Sequence, residues 1–224
     1  MGKFIKEEYA FKGKVGALHG SSIDGKPYVK GEYKKRTKPA KKGEKQNRNK
    51  FKMAHLWLYP LLDFVKQGFK GFHYKENSQG YNAAKSHLLL NAFEGKTPDL
   101  TINPALAKVS YGNLPLASNM TATKLDESHL KFTWDNVLAT GMNIYDQAML
   151  LAYDVQNRVA YHLTTGPFRE TGEAILKIPG AGIKNKKLIA ATFHCYLAFL
   201  AADRSRQSDS VYLGNFIFQT PEKI

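Results

Sequence analysis

The densest chemistry in this sequence is cationic. Between Lys30 and Lys52 there are eleven lysines or arginines against two glutamates, so nine of the chain's +14 net charges sit in about a tenth of its 224 residues. The candidate binding groups are Lys34, Lys35, Arg36, Lys38, Lys41, Lys42, Lys45, Arg48, Lys50 and Lys52. Such a run neutralises phosphates or carboxylates with little demand on geometry, which gives salt-dependent, weakly specific affinity. Lysine predominates, and within it only Arg36 and Arg48 carry the planar fork suited to bidentate recognition. Tyr28 and Tyr33 stand just ahead of the run and could stack on bases where exposed, although such tyrosines more often pack on a strand face. The run reads equally as a solvated loop that keeps the chain soluble.

Other reactive residue types are scattered. His19, His55, His73, His87, His129, His162 and His194 fall at no metal-ligand spacing with one another, with the lone Cys195 or with a carboxylate. Asp126, Glu127, Asp135, Asp146 and Asp154 lie where turns commonly use acids. No Gly-x-Ser-x-Gly elbow occurs. Gly13, Gly16 and Gly20 suggest a phosphate loop only weakly, because the Lys-Ser/Thr ending is absent, and a glycine-rich strand explains them better. The expectation is therefore no enzyme, no catalytic residue, no metal and no cofactor. Cys195 sits in an apolar run and reads as a core residue, which suits a reducing compartment. Met1 to Lys14 has no apolar segment of the secretory kind, and no stretch is long and apolar enough to span a membrane. The expected location is the cytoplasm, or release with a phage-like assembly.

The elements that must position these groups follow from periodicity. Residues 9–33 read as a β-hairpin closed by Asp24-Gly25, with Val15, Ala17 and Leu18 in one short strand. On the return strand Tyr28, Lys30 and Glu32 alternate with Val29, Gly31 and Tyr33. Pro39 and Gly43 break the basic run, so a helix begins near Gly43 or Glu44. Lys45, Arg48 and Lys52 then recur at helical spacing as a basic stripe. Phe51, Ala54, Leu58, Leu61, Leu62, Val65 and Phe69 form the apolar side, widened by Trp57 and Tyr59 and interrupted by Pro60. A second helix spans about Ser78 to Phe93, with Tyr81, Ala84, Leu88 and Ala92 inward. The two helices are expected on a small sheet. The fold class is α+β for residues 1–113, then all-β for residues 114–224. The second region has strand-like runs at 120–124, 130–134, 148–155, 158–164, 174–178, 188–200 and 210–218, the pattern of a sandwich.

The C-terminal half resembles a fibronectin type III-like domain. The residues that carry the resemblance are Trp134 in the second strand, Tyr153 in the third, and Tyr196 to Asp203 followed by Ser208-Asp209-Ser210. It implies that Trp134 and Tyr196 are core packing residues. The whole chain also resembles a bacterial family of unknown function. That likeness rests on Gly13-Lys14-Val15-Gly16, on Gly25 to Val29, on the basic loop leading into a helix, and on Ser208 to Gly214. The sequence departs from the family pattern with Gly43 in place of a capping Thr and Asp209 in place of Asn. The resemblance implies no activity.

Two functions fit. The first is a non-enzymatic binding protein that engages a polyanion, either nucleic acid or an acidic surface, through the hairpin–helix junction. The second is a structural or assembly subunit of a bacterial or phage-derived complex, self-associating through sandwich edges and the basic loop. A carbohydrate-binding module fits less well, since Trp57 and Trp134 both lie in core-like patterns.

Overall fold

The computed structural model describes residues 12–23, 25–32, 35, 37–71, 80–179, 183–184, 187–188 and 191–218. The chain forms two compact units, residues 1–44 and 45–224.

The first unit holds an antiparallel sheet of β1 (Gly13–Val15), β2 (Leu18–Ile23) and β3 (Lys26–Gly31), in that order. Where the sequence suggested one strand through Val15, Ala17 and Leu18, the chain turns. Gly16 takes φ +57°, a left-handed conformation that glycine adopts without a Cβ penalty, and Val15 then pairs with Leu18. Ile23 pairs with Lys26, so the second connection is the expected two-residue turn, with Gly25 at φ +73°. Asp24, Tyr33, Lys34 and Arg36 lie outside the described residues.

A helical run follows, most of it in the second unit. α1 (Lys42–Leu58) passes through a 3-10 turn at Tyr59–Leu61 into α2 (Leu62–Gly68). Pro60 lies in that turn, where its missing N–H divides the helix as expected. α3 (Gly80–Asn91) follows, then a small ladder of β4 (Phe93–Glu94) with β5 (Thr101–Ile102). The remaining strands are β6 (Thr121–Asp126), β7 (His129–Thr133), β8 (Gln147–Asp154), β9 (Val159–Leu163), β10 (Glu173–Lys177), the short pair β11 (Ile183–Lys184) and β12 (Lys187–Leu188), β13 (Ala191–Leu200) and β14 (Val211–Phe218). They build a three-stranded sheet, β10-β7-β6, and a four-stranded sheet, β14-β13-β8-β9, with every pairing antiparallel. The fold is α+β and β-rich.

Two cores lie on opposite faces of the four-stranded sheet. On one face Ala148, Leu150 and Ala152 of β8 and Cys195, Leu197 and Phe199 of β13 meet Leu130, Phe132 and Leu176 from the three-stranded sheet and Trp134 just after β7. On the other face Met149, Leu151, Tyr153, Tyr196 and Ala198 meet Trp57, Leu58, Leu61, Phe64 and Leu88 from the helices. β8 and β13 are therefore apolar on both sides rather than alternating. The helices do not rest on a small sheet of their own, as the sequence reading had it. They pack on the outer face of β8 and β13, with Phe93 of β4 and Ile102 of β5 at the margin of the same core. The expected boundary at residue 113 falls inside the second compact unit.

Residues 107–112 fasten the helical layer. The Ser210 hydroxyl accepts from the Val109 amide at 3.0 Å, and the Ser110 hydroxyl donates to the Ser208 carbonyl at 2.7 Å and lies 3.1 Å from that of Gly68. Lys108 and Asp209 form an ion pair, and Asp209 also accepts from the Gly112 amide at 3.1 Å. A Cβ on Gly112 would stand 1.9 Å from the Gln207 carbonyl oxygen, so the close approach requires glycine there. Among the described residues, no helix is long and apolar enough to cross a membrane.

Candidate polyanion interface

Successive residues of an α-helix turn by about 100°, and this sorts α1 into two sides. Lys50, Ala54, Trp57 and Leu61 lie along the inner line, and the last three are buried. Lys45, Arg48 and Lys52 lie along the opposite line, all exposed, as the sequence spacing predicts. Lys50 does not join them. It is half-buried, with its ammonium 5.9 Å from the centre of the Phe93 ring. Of the preceding segment, Lys35, Lys38, Lys41 and Lys42 are exposed, while Lys34 and Arg36 lie outside the described residues.

The outer line continues into residues that the sequence reading placed elsewhere or did not single out. Phe51 and Tyr59 were expected on the apolar side; they are 56% and 64% exposed. Phe51 stands about 100° from Lys50, on the flank of the helix, and Tyr59 follows Lys52 by seven residues, on the same line. His55 lies between them. Its ring is 5.8 Å from Tyr59 and 6.1 Å, edge-on, from Tyr81 of α3. His55 Nδ1 and the Tyr81 hydroxyl are hydrogen-bonded at 2.7 Å, and Lys85 Nζ sits 4.7 Å from the Tyr81 ring centre. The signal was present: residues 45, 48, 52, 55 and 59 keep the three- and four-residue steps of one helix face.

The sheet of the first unit is also two-sided. Its register places Lys14, His19, Ser21, Ile23, Lys26, Tyr28 and Lys30 on one face. The other carries Val15, Leu18, Pro27 and Val29 among glycines. Tyr28 is half-buried with the Lys30 ammonium 5.0 Å over its ring. A Ser21 hydrogen bond, then the Lys30 charge, hold its phenol below the ordinary value. Lys14 pairs with Glu32 at 3.0 Å on the surface.

Charge elsewhere serves packing. Arg169 is fully buried. Its Nε is 3.3 Å from Asp146 Oδ2 without the alignment of a hydrogen bond, its NH2 donates to the Pro115 carbonyl at 3.0 Å, and its guanidinium lies 3.9 Å over the Phe199 ring. Burial lowers the Arg169 pKa, and Asp146 opposes that shift. Asp146 in turn accepts from the Asn143 and Ala202 amides, so one carboxylate ties three loops together. Burial likewise pushes the Cys195 thiol far up and lowers His87, His162 and His194. Among the described residues, no group of three or more His, Cys, Asp or Glu is placed to hold a metal ion.

A family described as a family of unknown function, DUF6266, matches residues 10–214. The chain belongs to that family. Comparison with curated proteins returns no match. In this DUF6266 chain Gly43 and Asp209 take up distinct local positions. Gly43 lies inside α1, which starts one residue earlier, and so does not cap it. Asp209 supplies the carboxylate that Lys108 and the Gly112 amide both use.

Proposed function

We propose that this protein is a non-enzymatic binding protein that engages a polyanion through its basic segment, the site residues being Lys34, Lys35, Arg36, Lys38, Lys41, Lys42, Lys45, Arg48 and Lys52. The observation that carries the reading is the solvent side of α1, where Lys45, Arg48 and Lys52 repeat along one line directly after the lysines of 35–42. Like charges at these spacings cost a helix a few tenths of a kcal/mol per pair, and positive charge near a helix N-terminus opposes the macrodipole. A polyanion would offset both. Lys50 is withdrawn from the site by its packing on Phe93.

The scaffold reading is a fibronectin type III-like sandwich. Its support is the strand order: the first, second and fifth long strands after residue 114 form one sheet, and the third, fourth, sixth and seventh form the other. Trp134 of the second strand region is buried in their shared core. An assembly subunit that pairs through strand edges has less support. β3 carries Pro27 between Lys26 and Tyr28, and a second lysine at 30, which are residues that discourage edge pairing. Each gap between the two larger sheets is spanned by a hydrogen bond, Lys124 Nζ to the Ile217 carbonyl at 3.1 Å and Tyr161 hydroxyl to the Pro179 carbonyl at 2.5 Å.

The test is a mobility-shift assay with DNA, RNA and polyphosphate at about 50 mM salt, where counterion release makes electrostatic binding strong. Retention that fades as salt rises supports the reading. Free migration of every polyanion at that salt contradicts it.

A further inference from the structure

The outer side of α1 carries more than charge. Resting on the polyanion reading above, we infer that its ligand is a single-stranded nucleic acid, whose phosphates meet Lys45, Arg48 and Lys52 while unpaired bases stack on Phe51 and Tyr59. Single-strand binders combine a cationic track with aromatic faces on which successive bases stack. Both parts are present on one helical run, Tyr59 opening the 3-10 turn that follows α1. Phe51 and Tyr59 are each more than half exposed although large rings ordinarily bury their area. They are eight residues apart, about 12 Å along the axis, with Lys52 between them.

The Tyr59 end of this row is held in place. His55 lies beside Tyr59 and is fixed by its hydrogen bond to Tyr81, which stands edge-on to it and lies under Lys85. An aromatic row fixed before binding loses less freedom on binding than a floppy one.

The competing polyanions fit less well. Duplex DNA and polyphosphate would use the cations and leave both rings idle. An anionic membrane would need an apolar stripe facing it, but Ala54, Trp57, Leu58 and Leu61 of this helical run are spent in the protein core. The exposed rings flank cations rather than one another.

The full-length protein is titrated by fluorescence anisotropy at low salt against labelled oligothymidylate, a duplex of the same length, and polyphosphate, with anionic phospholipid vesicles as a fourth arm. The expected order is oligothymidylate tightest. Phe51→Ala and Tyr59→Ala each weaken it about tenfold and leave polyphosphate affinity within a factor of two. Both side chains are exposed, so unchanged thermal melts separate a binding loss from unfolding. Equal affinity for all the polyanions, with both variants unchanged, overturns the single-strand inference and leaves the polyanion reading standing. Preference for the duplex or for vesicles over oligothymidylate also overturns it. Failure to bind any polyanion overturns both.

Discussion

Among the described residues, two three-stranded antiparallel sheets treat their side chains in opposite ways. In β10-β7-β6, Leu130, Phe132, Ala174 and Leu176 point into a core shared with β8 and β13. In β1-β2-β3 only Gly20 is buried, and Val15 and Leu18 are 62% and 47% exposed. Both sheets are antiparallel ladders, with one irregularity at Lys124–Asp126 in β6, so hydrogen bonding does not account for the difference in burial. What differs is the second layer. A sheet gains stability chiefly by burying one face, and two or three strands in water are marginal alone. The first sheet buries one face in a core, whereas Val15 and Leu18 of the second stay exposed.

Substitutions at the two ends of this comparison should separate it clearly. Phe132→Ala removes a fully buried ring from the larger sheet and should cost about 3–5 kcal/mol in chemical denaturation. Arg169→Ala should cost a similar amount, about 3–5 kcal/mol, because Asp146 is left charged and buried without its partner. An equal loss on replacing Arg169 with Met, which keeps most of the volume, would show that the penalty lies in the orphaned charge rather than in lost packing. Gly112→Ala follows at about 1–3 kcal/mol, since the new methyl meets the Gln207 carbonyl and the segment 107–112 that fastens the helices must shift.

Acid should act on the second unit through its histidines. Burial holds His87, His162 and His194 below their ordinary value of about 6.5. A depressed pKa in the folded state means that the unfolded chain binds protons first. This stabilising contribution is complete above about pH 7 and is lost as pH falls below 6.5 towards the folded values. Melting temperature should therefore decline between pH 7 and pH 5, and His162→Phe should flatten part of that slope. A melting temperature constant across this range would refute the assignment. The smallest effect belongs to the other sheet: Leu18→Ala should change global stability by no more than about 0.5 kcal/mol. A loss like that of Phe132→Ala would show that the small sheet is packed after all.

Much of this arrangement was legible in the sequence, and the failures have physical causes. The strands of the C-terminal half were readable because Gly, Asp and Pro punctuate them, and the Gly25 turn and Pro60 break because those residues restrict the backbone. The placement of the helices was missed although the runs Ala148–Tyr153 and Cys195–Ala202 advertise strands buried on both faces. A continuous apolar strand calls for a third layer, and the helices supply it. Phe51 and Tyr59 were assigned inward because hydrophobicity was counted without the helix angle; the positions of Lys50 and Lys52 on opposite sides fix the true orientation. Arg169 drew no notice, since nothing local marks a charge that finds its carboxylate 23 residues away in the sequence and only in three dimensions.

The central claim, that the basic segment neutralises a polyanion, is tested most directly by the salt dependence of binding. Affinity for single-stranded DNA measured across a salt series should fall steeply on a log–log plot. Replacing Lys45, Arg48 and Lys52 together with Gln should lower the magnitude of that slope by about two, the loss of three phosphate contacts. A slope unchanged by the triple substitution, or no binding at the lowest salt, would contradict the account.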